Sequence, residues 1–448
     1  MSENPVMVSA WRNGARAHRL FRMGDPSASA TDFDAVIVGG GIAGLWLLRR
    51  LRDSGYRAVL LSSTPLGCGQ TLASQGIIHG GLKYALAGQL TRASEQIADM
   101  PARWSACLEG RGEIDLRALA PVRQSCHLFA AAGTLGRLTS FLASRSLRGR
   151  VEALARSEFP AGLLDPAFNG SVHRLVDFVL PMPALLRTLV APVTDSAYTA
   201  DALAALNDSS LSEGGVRLEL AGSAITARHL ILAAGSGNAA LLARLGLGYP
   251  RMQRRPLAQV IVRAPDLPPL FAHCLTGIRR PEPRLTITSH ADEDSTLWYL
   301  GGQIATDGVG MDRNALVAHA RRELRACLPW RDWSRADIET LAIDRAEPLH
   351  SDGKRPDEAF ATGTGPGGRC IVVWPTKLSL APDLGDRVLR LLAPGQTQRQ
   401  ASDTEPTTPR NETREQPRLA LPGTTVGAPP WFRNDPMQDA RPAHGDGI

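Results

Sequence analysis

Lysine is nearly missing from this 448-residue chain: of 50 Lys and Arg residues, only Lys83, Lys354 and Lys377 are lysine. A compositional preference for Arg accounts for the rest. The three survivors mark places where a compact ammonium on a flexible stem can act as a planar guanidinium cannot. Also missing is any run of Lys and Arg longer than two residues. The formal net charge is +6 and its carriers are dispersed, so nucleic-acid binding is not expected. No two of the six cysteines stand in C-x-x-C spacing. That speaks against a zinc site and against a disulfide framework, and it fits a reducing compartment. No apolar run approaches the ~18–20 residues needed to span a bilayer, and the N-terminus lacks the apolar core of a secretory signal. The expectation is a cytoplasmic protein, at most peripheral to a membrane, with no transmembrane segment and no metal.

Composition divides the chain. Residues 1–31 and 394–448 are polar and lack periodicity, the latter rich in Pro, Gln, Thr, Asn and Arg, and both are expected to be disordered. Between them, "DFDAVIVGGGIAGLWLLRRLRDSGYRAVLLSS" opens with a short apolar run of the kind found in buried parallel strands. Leu45, Leu48 and Leu51 then recur at near-helical spacing up to Gly55, and "RAVLL" is a second buried strand. The whole is a strand–helix–strand unit of about thirty residues. Farther on, "LAQVIVRA", "RLTITSH" and "LWYLGGQIA" are β-rich and predict an antiparallel sheet, while "ALVAHARRELRACL" is an amphipathic helix.

Chemistry enters at the turn between the first strand and helix. "GGGIAG" reads as Gly39-x-Gly41-x-x-Gly44. In that context Gly39 permits a tight turn, Gly41 lets backbone approach a pyrophosphate, and Gly44 lets helix and strand pack closely. The helix N-terminus offers free N–H groups and a positive dipole end to phosphate. One part of the fingerprint is absent. The second strand ends in Ser62-Ser63, where a carboxylate is expected to hold the adenosine ribose.

A second stretch, "GCGQTLASQGIIHGGLKY", mixes glycines, hydroxyls and amides with one His and one of the three lysines. Gly76, Gly80 and Gly81 allow backbone to approach a flat ring. Gln70, Thr71, Ser74 and Gln75 supply donors, and His79 titrates near neutral pH. This stretch resembles the segment after the second strand in the D-amino acid oxidase superfamily of FAD enzymes. The likeness is closest to its glycerol-3-phosphate dehydrogenase and L-2-hydroxyglutarate oxidase branches. "HLILAAGSGN", with Ala234 and Gly235, is similar to the family's late strand ending in an A-x-G turn. "VVWPTKLSLAPDLGDRV", with Thr376, Lys377 and Leu378, is similar to its C-terminal flavin segment, although Trp374-Pro375-Thr376 stands where the family usually has glycines. "IDRAEPLHSDGKRPDEAF" occupies the place of an R-P element whose Arg often meets a substrate carboxylate, which makes Arg345 the candidate, with Lys354 on the following loop.

The resemblance implies an α/β protein with FAD as cofactor. A discontinuous Rossmann-like FAD-binding domain (32–100, 171–249 and 340–393) would carry an α+β substrate domain with an antiparallel sheet (101–170 and 250–339). It implies oxidation of a small anionic molecule by hydride transfer to flavin, most simply a 2-hydroxy acid or polyol phosphate. Two alternatives stay open: amine or D-amino acid oxidation on the same fold, and a flavin-binding protein acting on or with RNA or a protein partner. His79, Lys83 and Arg345 are the expected catalytic residues, and Lys83 or Lys377 would stabilise the reduced ring. Arg279, Arg280 and Arg284 could line an anionic pocket. The electron acceptor would be oxygen or a quinone or other carrier.

Overall fold

The first apolar run forms the centre of a parallel sheet, and the chain builds outward from it. A computed structural model of the protein describes residues 31–81, 92–130, 150–220, 223–275, 282–292, 295–350, 356–393 and 416–432. In chain order the strands begin with β1 (Thr31–Val38), β2 (Ala58–Ser62), β3 (Ile77–Ile78), β4 (Gln124–Ala130), β5 (Val151–Ala153) and β6 (Ser171–Val179). They continue with β7 (Ala197–Thr199), β8 (Leu211–Ser212), β9 (Gly215–Leu220), β10 (Ser223–Leu232), β11 (Met252–Arg263) and β12 (Ala272–Leu275). The last are β13 (Leu285–Asp292), β14 (Ser295–Gly301), β15 (Asp337–Pro348), β16 (Phe360–Thr364) and β17 (Cys370–Trp374).

The first sheet has the order β16-β17-β10-β1-β2-β7, with β9 and β8 attached beyond β10. From β17 to β7 the strands run parallel, and Val38 lies in register with Leu232 on one side and Leu61 on the other. Both faces of β1 are buried. Ala35 and Ile37 join the core beneath the helix Ile42–Asp53, whereas Phe33, Val36 and Val38 join the core on the opposite face. This two-sided burial is why the strand reads as continuously apolar. The helix is locked from behind by the C-terminal helix Ala381–Leu392, through the Arg50–Asp386 pair at 3.1 Å, and by Trp46 against Trp104 with ring centroids 4.6 Å apart.

The second sheet has the order β15-β11-β14-β13-β12-β4-β6-β3, with β5 beside β6. The expected antiparallel set is found as β11–β14–β13. Its outer face is covered by the amphipathic helix Arg313–Cys327, whose Leu316, Ala320 and Leu324 pack with Trp298 and Trp333. Among the described residues no helix is long and apolar enough to cross a membrane.

Sheet membership cuts across the sequence-based division. β3, β6 and most of β15 lie in segments assigned by sequence to the nucleotide-binding unit, yet all three belong to the second sheet. β15 pairs with β11 along its full length, from Asp337 opposite Arg263 to Pro348 opposite Met252. That partner is remote in sequence, and local pattern carries no sign of it.

The tail needs a correction too. Residues 416–432, expected to be disordered with the rest of 394–448, run along the protein as an extended strap. Thr199 N–H donates to Pro422 O at 2.8 Å, Leu66 N–H to Thr425 O at 2.7 Å, and Gly427 N–H to Leu66 O at 2.9 Å. Trp431 is 2% exposed, its ring 4.0 Å from that of His290 and 5.3 Å from that of Tyr299. A few apolar side chains, Leu419 and Trp431 chief among them, find sites already formed by the body of the fold. Polar composition hides this, because the strap builds no core of its own.

Candidate functional site

The site begins where β1 ends. Val38 closes the strand and Ile42 starts the helix, so three glycines must reverse the chain. Gly39 has φ 119°, and a Cβ there would lie 2.6 Å from the backbone of Ala233 and Ala234. A Cβ on Gly44 would lie 1.9 Å from the Gly39 carbonyl oxygen. The helix therefore seats on the turn only if both are glycine. Gly41, at the N-cap, lends no side-chain cap; Thr71 Oγ1 accepts from the Ile42 N–H at 3.1 Å instead. No acidic residue occupies the first helical turn, so its positive end is left for an incoming anion.

A cleft of about 560 Å³ opens over this turn. One end is walled by Ser62 and Ser63 at the tip of β2. Ser62 is buried and its hydroxyl donates to Thr64 O at 2.7 Å, while Ser63 is exposed. The middle is walled by Gly39, Gly41, Gln70, Thr71 and Ser74, together with Ala234 and Gly235 after β10. Ala234 is held by Asn238, a wholly buried residue that sequence reading passed over. Asn238 Oδ1 accepts from Ala234 N–H at 2.8 Å, and its Nδ2 donates to Val373 O at 3.1 Å, tying the ends of β10 and β17 together. Its signal in the sequence was an amide directly after the Gly-Ser-Gly turn.

The cleft is lined further by His79, Arg345, Thr376, Lys377 and Leu378, with Leu257 and Gln259 of β11. Arg345 shares one face of β15 with Ile343 and Glu347, by the two-residue alternation of a strand, and all three reach the cleft wall. Glu347 is 1% exposed and is neutralised by Arg255 at 3.1 Å. Tyr299 O–H reaches Ala73 O at 2.9 Å and also contacts Gln259 Oε1. Burial lifts the Tyr299 phenol well above its ordinary value, so it stays protonated at neutral pH. The strand alternation of β11 is the signal that could have singled out Leu257 and Gln259.

The His79 loop is held by its backbone. His79 N–H donates to Ser379 Oγ at 2.9 Å, and Gly80 N–H donates to Asp177 Oδ1 at 2.9 Å. Gly80 and Gly81 thus lie off the cleft wall. Gln75, expected to serve a ligand, spends its amide on Thr286 O and Tyr299 O, both at 3.0 Å, and bridges to the second sheet. Lys377 is 5% exposed and its ammonium meets Asp357 Oδ1 at 2.9 Å. Thr376 takes the turn at φ 59° where glycines were expected, and its hydroxyl donates to Glu358 O at 2.9 Å. Arg284 is bound to Glu323, away from the cleft. Lys83, Lys354, Arg279 and Arg280 lie outside the described residues. Among the described residues no His, Cys, Asp and Glu cluster could hold a metal ion.

Residues 34–368 match the DAO family, FAD dependent oxidoreductase. Over 365 residues, 81% of this chain and 91% of the relative, the sequence is 49% identical to the probable FAD-dependent oxidoreductase PA4991 of Pseudomonas aeruginosa. The crystal structure of that protein superposes with a TM-score of 0.71 at 40% identity, covering 90% of this chain and 98% of the other. Two oxidases share the fold at lower identity. Glycine oxidase from Geobacillus kaustophilus has a TM-score of 0.55 at 19% identity, with 86% of this chain and 100% of the other covered. L-alpha-glycerophosphate oxidase from Mycoplasma pneumoniae, with FAD bound, has a TM-score of 0.55 at 12% identity, with 81% and 94% covered. The chain belongs to the DAO family and is an FAD-dependent oxidoreductase. The cleft fits that cofactor on its own geometry. Its glycine turn admits no Cβ at Gly39, its first helical turn carries no acidic residue, and Ser74 Oγ is buried without a hydrogen-bond partner.

Proposed function

We propose that this FAD-dependent oxidoreductase oxidises a small carboxylate at a carbon bearing OH or NH. The observation that carries the reading is Arg345. Arg345 lines the same cleft as His79, next along its face of β15 to Ile343, which pairs with Leu257 of β11. A planar fork of donors in a partly desolvated site recognises a carboxylate bidentately. The glycine turn, the helix end at Ile42, Thr71 and Ser74 would hold the pyrophosphate and the ribityl side of the cofactor, and Ala234 and Gly235 its central edge.

Bound FAD supplies the two-electron acceptor for hydride. The chain's own residues do the remainder. Arg345 anchors the carboxylate and so fixes which C–H faces the ring. Leu257 and Ile343 exclude water around that bond. A 2-hydroxy acid loses its O–H proton as hydride leaves, giving a ketone, and His79 is the base on the wall that can take it. A 2-amino acid with its amino group unprotonated loses hydride to give an iminium, which then loses a proton from nitrogen to give the imine, so hydride loss itself needs no base. Ser379 and Asp177, by fixing the amides of His79 and Gly80, set where that ring stands. Re-oxidation falls to dioxygen or a quinone-type carrier.

The test is anaerobic mixing of the holoenzyme with small 2-hydroxy acids, 2-amino acids, polyol phosphates and amines without a carboxylate. Carboxylates are expected to bleach the flavin absorbance, and amines without one are not. Arg345→Met should raise KM by roughly a hundredfold, in line with loss of a charge-assisted bidentate pair. Equal reduction by carboxylate-free substrates would discard the reading.

A further inference from the structure

The missing carboxylate at the end of β2 raises the question of what receives the adenosine ribose. Neither serine there is a good substitute. Ser62 is buried and its O–H is directed to Thr64 O, and a neutral hydroxyl accepts more weakly than a carboxylate.

The neighbouring strand ends at the same edge. β7 runs parallel to β2 with Thr199 in register with Ser62, and Ala200 N–H donates to Ser62 O at 3.0 Å, so pairing continues one step past the strand. The next residue is Asp201. It lines the same cleft as Ser62, Ser63, Thr64 and Pro65, and it is exposed. One carboxylate oxygen, Oδ1, caps the short helix Ala202–Ala205 by accepting from Ala204 N–H at 3.1 Å. That cap holds the side chain in place and leaves Oδ2 for a ligand.

We infer that Asp201, carried by β7, is the carboxylate that binds the adenosine ribose diol in this chain, in place of an acid at the end of β2. The inference rests on the cleft being the FAD site. A ribose presents two O–H donors, and a carboxylate is the side chain that only accepts. The displacement is from one strand to its parallel neighbour, so the acid stays at the carboxyl edge of the sheet where dinucleotides bind. Its negative charge also selects against a nucleotide bearing a 2′-phosphate.

The experiment uses full-length apoprotein prepared by removing FAD from the wild type, Asp201→Asn, Asp201→Ser and Ser63→Ala. Asn and Ser are good caps, so both preserve the helix start while removing the charge. FAD affinity is read from quenching of flavin fluorescence. Ribose recognition is read from the concentrations of ADP and of 2′,3′-dideoxy-ADP needed to displace FAD. The wild type is expected to prefer ADP by roughly tenfold or more. Both Asp201 variants should lose most of that preference and bind FAD roughly tenfold more weakly, with unchanged melting of the apoprotein, while Ser63→Ala keeps the preference. If the Asp201 variants discriminate as the wild type does, or if Ser63→Ala alone abolishes the preference, the assignment to Asp201 is wrong although the cleft still takes FAD. A wild-type apoprotein that does not rebind FAD would overturn the cleft assignment itself.

Discussion

Two residues show how differently single positions are decided. Gly44 is dictated by contact: its α-carbon faces the Gly39 carbonyl, with 1.9 Å for a Cβ that needs more than 3. Gly44→Ala must push the helix off the turn, and overpacking of this kind costs about 1–3 kcal/mol or more. The variant is expected to unfold at lower denaturant concentration and to purify with little flavin; a yellow, fully stable protein would contradict the packing. Asp177 is decided by burial. Desolvation pushes its carboxyl up to about 6, against the opposing pull of the Gly80 N–H and the more distant Arg150, and the Cys126 thiol faces it from β4. The folded value lies above the ordinary 3.8, so the associated stability is full below about pH 4 and is lost as pH rises through about 6. At neutral pH the ionised group costs on the order of 3 kcal/mol. Asp177→Asn keeps an acceptor for Gly80 and removes the titration. Urea unfolding at pH 4.5 and 7 should show the variant gaining on the wild type as pH rises, and parallel curves would contradict this. Gly44 was legible in the sequence because its spacing is a local demand of a strand–helix turn. Asp177 was not, since its partner Gly80 is 97 residues away.

Among elements, the strap at 416–432 and strand β15 carry the most consequence. The strap ties the edge of the first sheet, at Leu66 and Thr199, to the second, where Trp431 stacks on His290 and Tyr299. Tyr299 in turn touches Ala73 and Gln259 at the cleft. The strap therefore braces two walls of the cleft from outside. Trp431→Ala should lose about 3–5 kcal/mol, the range for emptying a buried Trp site. Ending the chain at Glu415 should lower the melting temperature further and loosen the flavin, as read from its release during gel filtration. Unchanged melting and retention in both would show the strap to be idle. β15 matters because it delivers Arg345, and only its pairing with β11 turns that side of the strand to the cleft.

At the scale of the whole molecule, the cleft proposed for the cofactor is walled by elements from both ends of the chain, so a ligand bound there adds its binding energy to folding energy. At free FAD a hundred times above Kd, the holoenzyme should be more stable than the apoprotein by about 2.7 kcal/mol. Paired thermal melts of the two forms check this, and coincident melts would mean that FAD is not seated in the cleft. The sequence alone determined the parallel strand–helix–strand unit, its glycine turn and the small, polar character of the stretch from Gly69, which lines the cleft as far as His79. These are set by contacts within a few residues, where steric exclusion and strand burial leave their mark on composition. Tertiary structure alone decided the second sheet's inclusion of β3, β6 and β15, the ordering of the strap, the hold of Asp177 and Ser379 on the His79 loop, and the placement of Asp201 beside the end of β2. Each depends on pairing or packing between segments far apart in the chain, and such contacts impose no period and no spacing that a single sequence can display.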